Sequence, residues 1–100
     1  MSRITTHVLD TALGRPAAGI PVTLMDAASA VLAEGVTDAD GRVRDLGPEE
    51  LAAGDYRLVF ETRGEFFPRV TLEFTLDAGT SHYHVPLLLS PFAFSTYRGS

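Results

Sequence analysis

The sequence predicts an all-β chain folded as a two-sheet sandwich of about eight strands. Two observations carry that expectation. Apolar side chains recur at every second position in one segment after another, where a helix would space them at three and four. The segments are separated by clusters of Gly, Pro and Asp, the residues that turn a chain. With 45% hydrophobic and 21% charged residues among 100, there is enough apolar material to offset the entropy of ordering the chain.

The elements follow in order. Ile4, Thr6 and Val8 share one face of a first strand, leaving Thr5, His7 and Leu9 on the other, and residues 10–18 are turn-rich. Residues 20–25 and 31–37 read as the second and third strands. Asp38-Ala39-Asp40-Gly41 is a turn in which Asp side chains bond nearby amides and Gly supplies a positive φ. A short strand over 42–46 follows. Proline at the head of Pro48-Glu49-Glu50-Leu51 suits one helical turn, and Gly54-Asp55 opens the next strand, 56–62, with Tyr56, Leu58 and Phe60 inward. Residues 63–68 connect to a strand over 70–76 carrying Val70, Leu72, Phe74 and Leu76. Two more strands, 82–89 and 92–97, flank the turn at Ser90-Pro91.

One hundred residues make a single domain, 1–100, small enough to gain stability by association. A formal charge of −5, from 8 basic and 13 acidic residues, leaves no basic footprint for nucleic acid. The absence of cysteine excludes a disulfide framework, a thiolate metal site and a cysteine nucleophile. No apolar stretch has the length of a signal peptide or a membrane span, so a cytoplasmic protein is expected. Glycine-rich nucleotide loops, a Gly-x-Ser-x-Gly elbow and His-Glu-x-x-His are all missing, which leaves nucleotide enzymes and the common serine and zinc hydrolases without support.

The polar residues of interest lie on the faces that the alternation turns away from the core. His7 projects opposite Thr6 and Val8. His82 and His84 share a face with Pro86 and Leu88, while Tyr83, Val85, Leu87 and Leu89 take the core side. A run of His84, Pro86 and Leu88 suggests a covered surface, read as a subunit contact. Two histidines on one face, with His7 as a third, also suit a metal ion, but no ligand spacing secures it and no metal or other cofactor is expected. Arg42 and Arg44 flank Val43 and point outward, offering planar donor forks for carboxylates and developing oxyanions. Finally, Tyr97-Arg98-Gly99-Ser100 continues a strand pattern to the last residue. That ending would make the α-carboxylate of Ser100 a placed anion beside its own hydroxyl.

Four stretches together resemble the 5-hydroxyisourate hydrolases, the enzymatic relatives of transthyretin: Thr6-His7-Val8-Leu9-Asp10, the segment 37–42, His-Tyr-His-Val-Pro-Leu-Leu-Leu-Ser-Pro at 82–91, and Ser-Thr-Tyr-Arg-Gly-Ser at 95–100. The resemblance implies an eight-stranded transthyretin-like sandwich, a homotetramer built as a dimer of dimers, and active sites in the channel where dimers meet. It also implies roles: His7, Arg42, His84 and Ser100 in catalysis, with Tyr97, Arg98 and Gly99 completing a substrate-binding terminal signature. Arg44 and His82 fall outside that set. This chain departs from the family pattern between Thr62 and Phe66, where relatives carry a longer insert. The short helix between the fifth and sixth strands is therefore expected to be missing. Arg69 also stands where an acidic residue is common.

The implied reaction is hydrolytic opening of 5-hydroxyisourate between N1 and C6, giving 2-oxo-4-hydroxy-4-carboxy-5-ureidoimidazoline in urate catabolism. Either His7 or His84 would take the proton from water, because histidine titrates near neutrality. Arg42 would polarise the substrate, and Ser100 would position the histidine or the substrate. Two rival readings are a transthyretin-like carrier of small aromatic ligands, whose channel would not need two histidines, and a structural or adhesion module.

Overall fold

The computed structural model describes residues 4–78 and 82–99. Among the described residues nine strands form two sheets: β1 (Ile4–Asp10), β2 (Arg15–Pro16), β3 (Pro21–Asp26), β4 (Val31–Val36), β5 (Arg42–Val43), β6 (Gly54–Phe60), β7 (Val70–Leu76), β8 (Tyr83–Ser90) and β9 (Ala93–Thr96). One sheet runs β2-β1-β8-β9, with β5 also paired to β1, and the other runs β4-β3-β6-β7. The inner faces of the two sheets meet in a single core, as two apolar faces with period-two patterning must. Ile4, Val8 and Leu87 from the first sheet and Val22, Leu24, Leu58 and Phe60 from the second are all buried there. Fully burying each such side chain contributes about 1.5–3 kcal/mol before entropy is counted.

The pairing that matters most is β1 against β8. It is parallel, and it sets Thr5 opposite His84 and His7 opposite Pro86. Thr6 is buried within it and bonds across the ladder, its hydroxyl donating to the Val85 carbonyl. On the other edge of β1, β5 runs antiparallel and sets Arg42 opposite His7. A face of alternating residues thus becomes a two-dimensional grid.

Several expectations are corrected. The turn-rich stretch after β1 contains a two-residue strand, because Leu9 and Asp10 pair with Pro16 and Arg15. The strand expected over 42–46 stops at Val43. Leu46 drops fully into the core, and Gly47, at φ 88°, packs where a Cβ would lie 2.9 Å from that of Ala33. That tight contact turns the chain off the sheet. No helical turn forms over 48–51. The segment is instead tied by the Tyr56 hydroxyl, which donates to the Ala52 carbonyl at 2.6 Å.

The connection between β6 and β7, residues 61–69, is short and contains no helix. It is closed by Thr62, whose hydroxyl donates to the Phe67 carbonyl at 2.6 Å, and by Arg63 N–H donating to the Pro68 carbonyl at 2.9 Å. Phe66 and Phe67 then reach over to Phe92 and Phe94, with ring centroids 6.1 and 5.2 Å apart. Those edge-to-face contacts join the shortened connection to the β8–β9 hairpin.

Candidate active site

The site is built on the outer face of the β5-β1-β8 sheet. Alternation puts Ile4, Thr6 and Val8 in the core, so Thr5 and His7 project outward. The same rule on β8 buries Tyr83, Val85 and Leu87 and turns His84 out. Register does the rest: one row across the sheet reads Arg42, His7, Pro86, and the next reads Thr5, His84. Neighbouring strands lie about 4.8 Å apart, so the two imidazoles and the guanidinium occupy one compact patch.

His7 is fixed by the turn that precedes β5. The Asp38 carboxylate accepts from the Asp40 and Arg42 amides at 2.9 and 3.0 Å. These backbone hydrogen bonds, that from Arg42 foremost, hold Asp38 below the usual carboxylate range. Gly41, at φ 74°, closes the turn so tightly that a Cβ would collide with the Val8 carbonyl. Its own carbonyl accepts from the Val8 amide at 2.7 Å. The result is that the Asp40 carbonyl meets His7 Nε2 at 2.8 Å. A carbonyl can only accept, so Nε2 carries a proton, which leaves Nδ1 as the one nitrogen of this ring that can act as an acceptor. Arg44 is the brace of the same turn, with Nη1 at 3.2 Å from Asp38. Among the described residues no carboxylate lies within ion-pair distance of the Arg42 guanidinium.

His84 is held from two sides. Its Nδ1 lies 2.9 Å from the Thr5 hydroxyl. Gly99 pairs with it from the terminal segment, donating its N–H to the His84 carbonyl at 2.8 Å. A Cβ on Gly99 would stand 2.7 Å from His84 Cδ2, so only glycine lets the backbone run against the ring edge. Partial burial holds the His84 pKa below the ordinary 6.5, and the charges of Arg42, His7 and His82 push the same way. The imidazole is therefore neutral at pH 7, with a lone pair for a proton.

The remaining expected residues divide. Gly99 acts on His84 itself. Tyr97 is exposed beside this segment. Arg98 turns to the other side of β8, where its guanidinium carbon lies 4.8 Å from the centroid of the Tyr83 ring, at a groove of about 360 Å³ lined also by Leu72, Phe74 and Val85. Ser100 lies outside the described residues. Two groups escaped the sequence reading. Thr5 shares the outward face of His7 but looked like an ordinary strand threonine, and His82, set aside as a neighbour, has Nε2 3.0 Å from the same Thr5 hydroxyl. Among the described residues no group of three or more His, Asp or Glu side chains is arranged to hold a metal ion.

The sequence pattern of the HIUase/Transthyretin family matches residues 4–99. A 5-hydroxyisourate hydrolase of Salmonella dublin is 44% identical over an alignment of 109 positions, covering 97% of this chain and 80% of the relative. An alignment longer than this chain means that the relative carries residues missing here. Among solved structures, a 5-hydroxyisourate hydrolase of Klebsiella pneumoniae superposes with a TM-score of 0.88 at 37% identity, covering 99% of this chain and all of the other. Transthyretin from Sparus aurata superposes with 0.89 at 29% identity, covering 99% and 97%.

Proposed function

The chain belongs to the HIUase/Transthyretin family, and from that premise we propose how its outward face opens the ring of 5-hydroxyisourate. The chain is a hydrolase of that substrate, acting in urate catabolism. The observation that carries the mechanism is the register that sets Arg42 opposite His7 and places His84 in the adjoining row. A carrier of small ligands has no use for an imidazole held neutral beside a guanidinium.

We assign the general base to His84. Nε2 takes a proton from water as the oxygen attacks the C6 carbonyl carbon, and the tetrahedral oxyanion forms within reach of Arg42. The C6–N1 bond then breaks, N1 takes a proton from His84 Nε2, and the new carboxyl group ionises to the carboxylate as the ring opens. His7, anchored through Asp40, presents Nδ1 as an acceptor for a substrate N–H. Ser100 is proposed to complete this set, and Gly99 brings the chain to His84; Arg98, turned to Tyr83, lies on the other side of β8. The Arg42 guanidinium, in a chain of net charge −5, draws an electron-rich heterocycle by its local field.

We further propose that the working form is a homotetramer, a dimer of dimers, with the sites where dimers meet. Two features support this. Strand β9 is the edge of its sheet and is exposed along its whole length, and the catalytic face is an open sheet surface, which needs a second surface to exclude water. The activity is tested by adding the chain to freshly oxidised urate and following the ultraviolet decay of the intermediate. Acceleration over spontaneous decay at micromolar chain is expected; none would leave the carrier reading standing.

A further inference from the structure

We propose that Thr5 is a positioning residue that passes a proton between His84 and the exposed His82. This inference rests on the hydrolase reading above. The Thr5 hydroxyl lies 2.9 Å from His84 Nδ1 and 3.0 Å from His82 Nε2. A hydroxyl has one proton and two lone pairs, so it can donate to one of these nitrogens while accepting from the other. In that arrangement the two rings hold opposite proton states at the atoms that face Thr5, and a tautomer change in one is coupled to the other.

Register gives this coupling a direction. On β8, Pro86 lies in the row of His7 and Arg42 and His84 in the next row of that face, while His82, just before the strand, lies farther along the same line. Among the described residues the charged and titratable groups facing His84 are His7 on β1, Arg42 on β5 and His82 immediately before β8. A positive charge placed on His84 sits beside Arg42, whereas one placed on His82 is a row removed and exposed to water. In the resting arrangement His84 Nδ1–H donates to Thr5 and the Thr5 hydroxyl donates to His82 Nε2. As His84 Nε2 takes a proton from the attacking water, the Nδ1 proton moves to the Thr5 oxygen and the Thr5 proton moves to His82. His84 ends neutral in its other tautomer. His82 ends as the imidazolium and releases a proton from Nδ1 to solvent.

The test compares the unchanged chain with Thr5→Val, Thr5→Ser and His82→Gln, using the ultraviolet decay of 5-hydroxyisourate in dilute buffer with and without added imidazole. Nitrogen-15 spectra report the His84 tautomer in the absence of substrate. Thr5→Val and His82→Gln are expected to lower kcat about tenfold, less than the roughly 10² to 10⁴ of losing the base itself. Thr5→Ser should stay near the unchanged rate. Imidazole should restore His82→Gln, because a dissolved base replaces a proton acceptor but not a structural contact. Thr5→Val should also alter the His84 tautomer. Unchanged kcat in both Thr5→Val and His82→Gln, or a His82→Gln deficit that imidazole leaves in place, overturns the relay. An inactive unchanged chain whose His84 tautomer still responds to Thr5→Val would sink the hydrolase reading and leave the coupling of the two rings intact.

Discussion

His84 is shaped by two neighbours with different jobs, Thr5 at its Nδ1 and Gly99 along its ring edge. Burial first, and then the charges of Arg42, His7 and His82, lower its pKa below 6.5, and the proposed role as base requires the deprotonated form. The sign follows. Lowering the pH protonates the base, so kcat/KM should fall with decreasing pH along a one-proton limb centred below 6.5. Arg42→Gln removes a cation that disfavours the imidazolium, so the midpoint of that limb should move up toward 6.5 while the maximum rate falls. A midpoint that stays in place would detach Arg42 from His84. The unfolded chain binds this proton more readily than the folded one, so His84 also makes native stability decline as the pH drops below 6.5. Gly99→Ala should lower kcat about tenfold or more with little change in folding, since the new methyl displaces the ring proposed as the base; equal kcat would contradict the close contact. Much of this was legible in the sequence. His7, Arg42 and His84 were placed on outward faces by alternation alone. Thr5 was not found, because a threonine in a strand carries no signal until the register shows which ring it touches.

The turn over 38–41 does for His7 what Thr5 and Gly99 do for His84. Gly41→Ala places a Cβ against the Val8 carbonyl at a φ that alanine rarely adopts. It should cost about 1–3 kcal/mol in a denaturant titration and depress kcat in the fraction that remains folded. An unchanged midpoint would mean that the turn relaxes freely. The Asp-Ala-Asp-Gly pattern announced this turn because its side-chain chemistry is local. The parallel partnership of β1 with β8 had no such announcement, since it joins residues 79 apart, as Thr5 and His84 are, and pairing at that separation is set by the whole fold. The same limit explains the mistaken helical turn over 48–51. Proline at its head was a fair local sign, but the burial of Leu46 and the contact of Gly47 with Ala33 dictate the path. Arg98 illustrates the reverse: its motif was conspicuous, yet the segment after β9 turns it to Tyr83.

At the scale of the molecule, an all-β sandwich was readable from period-two patterning, and the shortened connection between β6 and β7 from its length. What the sequence could not show is how the Phe66–Phe67 pair in that connection meets Phe92 and Phe94 of the hairpin. Assembly remains a prediction of the open catalytic face. Light scattering should report four chains at micromolar concentration, and thermal stability should rise with protein concentration as mass action requires. A monomer with full kcat would remove the inter-dimer channel from the account. The proposal that the face carrying Arg42, His7 and His84 opens the ring with His84 as base is tested by the single-turnover ultraviolet decay of 5-hydroxyisourate with His84→Asn beside the unchanged chain, both shown to be folded by circular dichroism. The His84→Asn rate is expected to fall by about 10² to 10⁴; a folded His84→Asn chain that opens the ring as fast as the unchanged one would rule His84 out as the base.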